Sequence, residues 1–153
     1  LSRLTKNKAR KDSRKGFFLY IIYIMNRSET EQFIHENFAG IIQDWPWEDT
    51  PEYSVFRHAD NRKWFALVAN VKYQTLDIDK PGIVDFINLK CDPDLIEEAI
   101  THPGILPAYH MNKRHWITVL LDGSCVDSEL KNLIDLSFRL TAKRQKKSPS
   151  PTS

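Results

Sequence analysis

Apolar positions along the chain follow two different spacings, one typical of helices and one typical of strands. From Phe33 to Phe38 they recur at helical spacing, after a capping-box pattern formed by Ser28 and Glu31. We therefore expect a first helix over about 28–40.

The rest of the chain contains four segments with strand character and two more with helical character. Residues 92–93 are Asp-Pro, a helix start, and 122–123 are Asp-Gly, a turn signal before the last helix. The expected strands are 53–58, 62–71, 83–90 and 116–121, and the further helices cover about 93–101 and 128–140.

The predicted order of elements is α-β-β-β-α-β-α, with short connections between most strands. Sequential strands with short links favour an antiparallel sheet, and helices that follow such strands pack on one of its faces. The sequence therefore predicts an α+β fold with two layers.

Charge divides the chain of 153 residues into three regions, although the formal net charge is only +2. Residues 1–25 carry seven Lys/Arg against one Asp, and 143–153 carry four Lys/Arg and no acid. The body, 26–142, carries eleven Lys/Arg against nineteen Asp/Glu, a net charge of −8. We expect a single domain over 26–142, a disordered or non-native basic extension over 1–25, and a disordered tail over 143–153.

The longest apolar run, residues 17–24, is shorter than the roughly 20 residues that a membrane span needs. Cys91 and Cys125 form neither a CxxC pair nor a disulfide-rich spacing. These patterns predict a cytoplasmic protein with reduced thiols and no membrane association.

No residue pattern predicts catalysis, a metal site or a cofactor. His110 and His115 are five residues apart across a loop, which is not the spacing of a helical zinc site. Cys91 follows an apolar strand, and 122–124 (Asp-Gly-Ser) is ordinary turn chemistry. We therefore expect a non-enzymatic protein.

Several sequence blocks resemble the MmcQ/YjbR family of small bacterial proteins over about 28–142. They are residues 46–53, 56–66, 88–93 and 107–124, which include Phe-Arg-His, Asn-Leu-Lys-Cys-Asp-Pro and Pro-Ala-Tyr-His-Met-Asn-Lys. The resemblance implies a fold related to the secretion-chaperone-like and CyaY-like architectures. It also implies DNA binding through a double-wing surface made from hairpins or loops.

On that resemblance, basic and polar residues at a hairpin tip and in a later loop form the two wings. The predicted nucleic-acid contacts are Arg57, Arg62, Lys63, Asn112, Lys113 and Arg114. Because the body is acidic, we expect weak binding with a strong dependence on salt. Pairing of Lys113 and Arg114 with nearby carboxylates is the structural alternative.

A second hypothesis is a cleft for a small molecule or peptide, with Trp45 and Trp47 nearby. Its predicted lining residues are Tyr109, His110, His115 and Trp116. For Trp64 and Trp116 a core position is favoured, since both open apolar strands. The chaperone-like resemblance adds a third hypothesis, a protein-interaction domain, and the oligomeric state stays open.

Overall fold

The computed structural model describes residues 5–9 and 20–145, which form three helices and two antiparallel sheets. The helices are α1 (Arg27–Asn37), α2 (Pro93–Ala99) and α3 (Asp127–Thr141), with a 3-10 turn at Tyr73–Leu76. The strands are β1 (Thr5–Ala9), β2 (Tyr20–Ile24), β3 (Ile41–Asp44), β4 (Ser54–His58), β5 (Trp64–Lys72), β6 (Ile83–Lys90), β7 (Ile105–Pro107) and β8 (Trp116–Leu120).

The main sheet has six strands in the order β3-β4-β5-β6-β8-β7, and every neighbouring pair is antiparallel. With three helices it confirms the predicted α+β class and the predicted order of elements. A separate two-stranded sheet pairs β1 with β2, so that Thr5 lies opposite Ile24. Residues 10–19 and 146–153 lie outside the described residues, and the predictions for the two tails stay predictions.

Two short edge strands were not predicted from the sequence. Gly40 has a positive φ of 66° and turns the chain out of α1, so β3 begins at Ile41, opposite His58. Ile105 pairs with Val119 in β7, within a segment that was expected to be loop. Strands of three or four residues are too short to show an alternating pattern, which explains both omissions.

The cap of α1 also differs from the prediction. Asn26, rather than Ser28, is the N-cap, and its side chain accepts a hydrogen bond of 2.9 Å from the backbone N–H of Glu29. The helix therefore begins one residue earlier than expected and ends at Asn37, three residues before the predicted stop.

Antiparallel pairing sorts the side chains of the sheet onto two faces. Val68, Ile87 and Val119 lie side by side in β5, β6 and β8 and point to the helices. There they join Ile34 of α1 and Ile134 of α3 in a core whose members are fully buried. Burial of each such side chain contributes about 1.5–3 kcal/mol relative to exposure.

Among the residues that the structure describes, no α-helix packs on the opposite face of the sheet, here called the open face, but a 3-10 turn and loops cover it. Leu67, Phe86 and Leu120 form a second apolar cluster there with the 3-10 turn and with loop residues such as Tyr53 and Tyr109. The loops before β4 and before β8 therefore cover a face of the sheet that would otherwise be exposed to solvent.

The longest described helix, α3, is hydrogen-bonded to two strands of the sheet through the hydroxyl group of Ser137, in addition to its contact with His58 of β4. Ser137 is fully buried, accepts a hydrogen bond of 2.8 Å from the backbone N–H of Lys90 and donates to the carbonyl of Phe65. One side chain thus joins α3 to both β5 and β6. Within residues 5–9 and 20–145, no helix is long and apolar enough to span a bilayer.

Candidate functional site

A buried polar network fixes the loop before β8 on the open face. Asn88 of β6 and Thr118 of β8 are paired across the two strands, and both side chains are buried. The hydroxyl of Thr118 donates to Asn88 Oδ1 at 2.5 Å and accepts from the backbone N–H of Tyr109 at 2.8 Å. The amide of Asn88 donates to the carbonyl of Tyr109 at 2.9 Å. Both backbone polar groups of Tyr109 are therefore satisfied by side chains of the sheet.

This arrangement creates a concave site on the open face, here called the aromatic cleft, with a volume of about 310 Å³. Its floor is the sheet, one wall is the loop 45–53, and the other wall is the loop 108–115. The lining residues are Trp47, Thr50, Tyr53, Trp64, Leu67, Phe86, Asn88, Tyr109, His110 and Met111.

The aromatic rings of the cleft meet mostly at right angles. The ring centroids of Trp47 and Trp64 are 5.7 Å apart at an interplanar angle of 88°, and those of Trp47 and Tyr53 are 6.2 Å apart at 90°. On the other side, Phe86 and Tyr109 lie 5.7 Å apart at 86°. Edge-to-face pairs of this kind are favourable in themselves, so the walls are held by their own contacts.

Two of the four residues predicted for a cleft are found in its lining. Tyr109 stands over Phe86, and His110 is exposed at the rim, where its φ of +56° brings its ring to 4.1 Å from that of Tyr109. Trp116 is buried outside the lining, with the ammonium of Lys90 5.6 Å from its ring.

His115 also lies outside the cleft lining, where its backbone carbonyl accepts a hydrogen bond of 2.8 Å from the N–H of Cys91. Trp45 is 57% exposed and is not part of the cleft, whereas its neighbour Trp47 is. Asn88 belongs to a block of the family resemblance but was not predicted as a site residue, because a single polar residue in an apolar strand does not show which face it occupies.

The six residues predicted to contact nucleic acid fall into two groups. Arg57 lies within β4 and forms an ion pair with Asp44 of β3, so its charge is already balanced. The other five lie in two loops at one end of the sheet. Arg62 and Lys63 occupy the β4–β5 hairpin tip, and residues 112–114 lie in the loop before β8.

Within the loop before β8, only part of the basic and polar character is free. Asn112 accepts a hydrogen bond of 2.8 Å from the backbone N–H of Arg114, and the ammonium of Lys113 donates to the carbonyl of Ala108 at 3.0 Å. The side chain of Arg114 is exposed beside α2, in a groove that is also lined by the acidic residues Asp94 and Glu97 of that helix. Asn112 therefore shapes the loop, and Arg114 presents charge to solvent.

The antiparallel topology collects connecting segments with opposite charge at opposite ends of the sheet. One end, here called the basic end, consists of 38–40, 59–63, 91–92, 108–115 and 142–145. The N–H of Ala59 donates to the carbonyl of Gly40 at 2.8 Å, and Asn61 Nδ2 donates at 2.8 Å to the carbonyl of Thr141, the last residue of α3 before 142–145.

The basic end carries six basic residues and two acidic ones. They are Arg62, Lys63, Lys113, Arg114, Lys143 and Arg144, against Asp60 and Asp92. The other end, here called the acidic end, consists of 45–53, 73–82, 100–104 and 121–126. It carries Glu48, Asp49, Glu52, Asp77, Asp79 and Asp122, against Lys80.

The groups considered for catalysis or metal binding are placed as follows. Cys91 and Cys125 are both buried, which raises the pKa of each thiol, to about 12 for Cys125. Among the residues that the structure describes, no three His, Cys, Asp or Glu side chains are arranged to hold a metal ion.

Asp122 and Ser124 form a turn in which the Ser124 hydroxyl donates to Asp122 Oδ1 at 2.5 Å. Tyr73 donates to the other oxygen, Oδ2, at 2.7 Å. Both oxygens of this carboxylate are therefore engaged in holding the turn at the end of β8.

The fold and the cleft together define a small two-layer α+β domain with a loop-covered open face. Residues 36–140 match the YjbR family, and the chain belongs to that family.

Relatives of this chain come from several bacteria. It is 38% identical over 118 residues to the Bacillus subtilis protein named Uncharacterized protein YyaQ, covering 77% of this chain and 99% of that one. It is 43% identical over 118 residues to the Escherichia coli K12 protein named Uncharacterized protein YjbR, covering 76% and 79%.

Two solved structures share the fold. A crystal structure of a Pseudomonas syringae protein has 44% identity and a TM-score of 0.74, covering 77% of this chain and all of that one. A Deinococcus radiodurans protein has 27% identity and a TM-score of 0.59, covering 81% and 84%.

Proposed function

We propose that this chain is a non-enzymatic module that binds nucleic acid by holding the phosphate backbone at its basic end. The observation that carries the proposal is the segregation of charge, since six Lys/Arg face two Asp in the segments of that end. Clusters of Lys and Arg supply the sequence-independent part of nucleic-acid affinity.

The spacing of the two basic loops suits a duplex. The β4–β5 hairpin and the β8–β7 connection are separated by three strand spacings in the order β4-β5-β6-β8-β7. At about 4.8 Å per spacing the loops lie about 14 Å apart, close to the width of about 12 Å of the major groove. Arg62 and Lys63 can therefore face one phosphate strand while Arg114 faces the other.

The acidic charge of the body does not oppose this mode of binding strongly. The central strand β6 has eight residues, so the two ends of the sheet are about 27 Å apart. That separation exceeds the Debye length of about 8 Å at physiological salt more than threefold. A phosphate at the basic end is thus screened from the carboxylates of 73–82 and 121–126, whereas those of 45–53 lie nearer, because that loop meets 108–115 across the aromatic cleft.

The proposal of a non-enzymatic role is supported by the state of the two thiols. Burial raises the pKa of Cys91 and of Cys125, which keeps both protonated near neutral pH. A protonated, buried thiol is a poor nucleophile. The predicted chaperone-like protein interaction stays a prediction.

The test is a fluorescence-anisotropy titration of a labelled DNA duplex with full-length protein across a salt series. The variant Arg62→Gln/Arg114→Gln removes two charges at the basic end, and Lys72→Gln/Lys80→Gln removes two charges near the acidic end. Both keep the basic tails, so the comparison isolates the folded body.

We expect the basic-end variant to weaken binding and to reduce the salt slope by about two, because each lost phosphate contact removes about one. The acidic-end variant should leave the slope within error of the wild type. Equal effects from the two variants, or no effect from either, would overturn the proposal.

A second candidate function is small-molecule binding, which the aromatic cleft favours. Its volume of about 310 Å³ lies at the lower bound of known ligand sites, and its walls combine aromatic rings with a few polar groups.

A further inference from the structure

We propose that the aromatic cleft binds an organic cation with a methylated ammonium head group. The inference rests on the second candidate function, small-molecule binding in the cleft, and names the chemical class of the ligand. Three properties of the cleft support it: the angles between its rings, the charges of its walls and its size.

The aromatic rings of the cleft are set at right angles to one another and are not stacked in parallel. Trp47 stands perpendicular to both Trp64 and Tyr53, at 88° and 90°. A flat heterocycle gains most between two parallel rings or on one open ring face, whereas a rounded ammonium group can contact several differently oriented rings at once. Attraction between a cation and the faces of Trp and Tyr is the recognised basis of such sites.

The charges around the cleft favour a cation over an anion. The residues that the structure places in its lining include no Lys, Arg, Asp or Glu. The wall that supplies Trp47 and Tyr53 carries Glu48, Asp49 and Glu52 within the same nine-residue loop. A ligand at the mouth of the cleft therefore meets a negative potential from this wall.

The effect of that wall reaches the ring of Tyr53. Burial, the neighbouring Tyr109 and the Glu52 carboxylate raise the pKa of the Tyr53 phenol. Burial, the largest of these causes, opposes a charge of either sign, so only the smaller effect of the Glu52 carboxylate favours a cation over an anion. The opposite wall adds no lining Lys or Arg, because Lys113 and Arg114 line a groove beside α2 instead.

The size of the cleft fits a head group with a short extension. A volume of about 310 Å³ equals about ten times the 30 Å³ that one water occupies in the liquid. A trimethylammonium group with a two- or three-atom chain is smaller than ten waters and so fits within that space, and the floor of Leu67 and Phe86 offers it apolar contact.

The test uses choline as the probe, 3,3-dimethylbutan-1-ol, its uncharged isostere, as the control ligand, and adenosine as a probe for a flat base. The full-length chain is titrated with each, and the indole N–H signals of the four tryptophans are followed by NMR. We expect choline to shift the signals of Trp47 and Trp64 saturably, and to leave those of Trp45 and Trp116 in place.

The contribution of the ligand's positive charge to binding is measured by the ratio of the dissociation constants of choline and of the alcohol. We expect choline to bind about tenfold or more tightly than the alcohol, as cation–π contacts in a desolvated site imply. Trp47→Leu should abolish the shift at Trp64, whereas Trp45→Leu, a change in an exposed neighbour outside the lining, should preserve it.

The other outcomes distinguish a failure of the cation assignment from a failure of small-molecule binding in the cleft. Equal binding of the alcohol and choline would overturn the cation assignment and leave the cleft as a small-molecule site. Binding of adenosine without binding of choline would likewise replace the cation with a flat base. A failure of all three probes to shift Trp47 or Trp64 would contradict both the cation inference and small-molecule binding in the cleft.

Discussion

At the scale of single residues, Asn88 and Thr118 decide how the open face of the sheet is covered. Their side chains satisfy both backbone polar groups of Tyr109 and so place its ring over Phe86. Tyr109 and His110 were predicted to line a cleft because polar and aromatic residues are concentrated in the loop that contains them. Asn88 was not predicted as a site residue, because the hydrogen bonds that give this residue its role join parts of the chain 21 and 30 positions apart.

Asp122 offers a prediction about pH. Burial alone would raise its pKa, but hydrogen bonds from Ser124 and Tyr73 outweigh burial and hold it below the ordinary value of 3.8. We expect NMR titration of the side-chain carboxyl carbons to give a midpoint for Asp122 below that value. In Tyr73→Phe, which removes one donor and keeps the ring, the midpoint should rise.

The sign of the effect on stability follows from the direction of the shift. A carboxylate whose pKa is lowered by folding contributes stability above its unfolded pKa, and this contribution is lost as pH falls through the folded pKa. Tyr73 has the opposite dependence, since its pKa is raised to about 12, so its contribution is lost as pH rises from about 10. An unchanged Asp122 midpoint in Tyr73→Phe would contradict the assigned role of the hydrogen bond.

At the scale of elements, the central strands and the helices were predictable and the edge strands were not. Strands β4, β5, β6 and β8 have enough residues for apolar content and turn signals to mark them. β3 and β7 have four and three residues, and they are strands because a neighbour pairs with them. Tertiary pairing, which no local pattern records, decided their structure.

The attachment of α3 to the sheet gives a prediction at this scale. Ser137→Ala leaves the N–H of Lys90 and the carbonyl of Phe65 without the hydroxyl that now bonds both. We expect the free energy of unfolding, measured with urea, to fall by about 1–3 kcal/mol, the usual cost of unsatisfied buried polar groups.

The matched control is Ser128→Ala, in the same helix but exposed to solvent. Exposed substitutions usually change stability by less than about 0.5 kcal/mol. A loss of stability at Ser128 equal to that at Ser137 would show that the helix, and not its bridge to the sheet, is responsible.

At the scale of the whole molecule, the separation of basic and acidic segments at the two ends of the sheet could not be predicted from the sequence. The net charge of −8 for residues 26–142 describes an average, and it counted against nucleic-acid binding. Antiparallel pairing places the hairpin tip 59–63 and the loop 108–115 at the same end, although they are far apart in sequence. The family resemblance named the two loops as wings, and the topology adds that the acidic segments lie at the other end.

Contact of nucleic acid with the basic end of the folded body can be mapped by the backbone amide signals in NMR spectra. A short DNA duplex is added to the full-length, ¹⁵N-labelled chain at low salt. We expect the shifts to be concentrated in 59–63, 108–115 and 142–145, with the signals of 73–82 and 121–126 unchanged. Shifts at the acidic end, or shifts confined to 1–24 and 146–153, would contradict it.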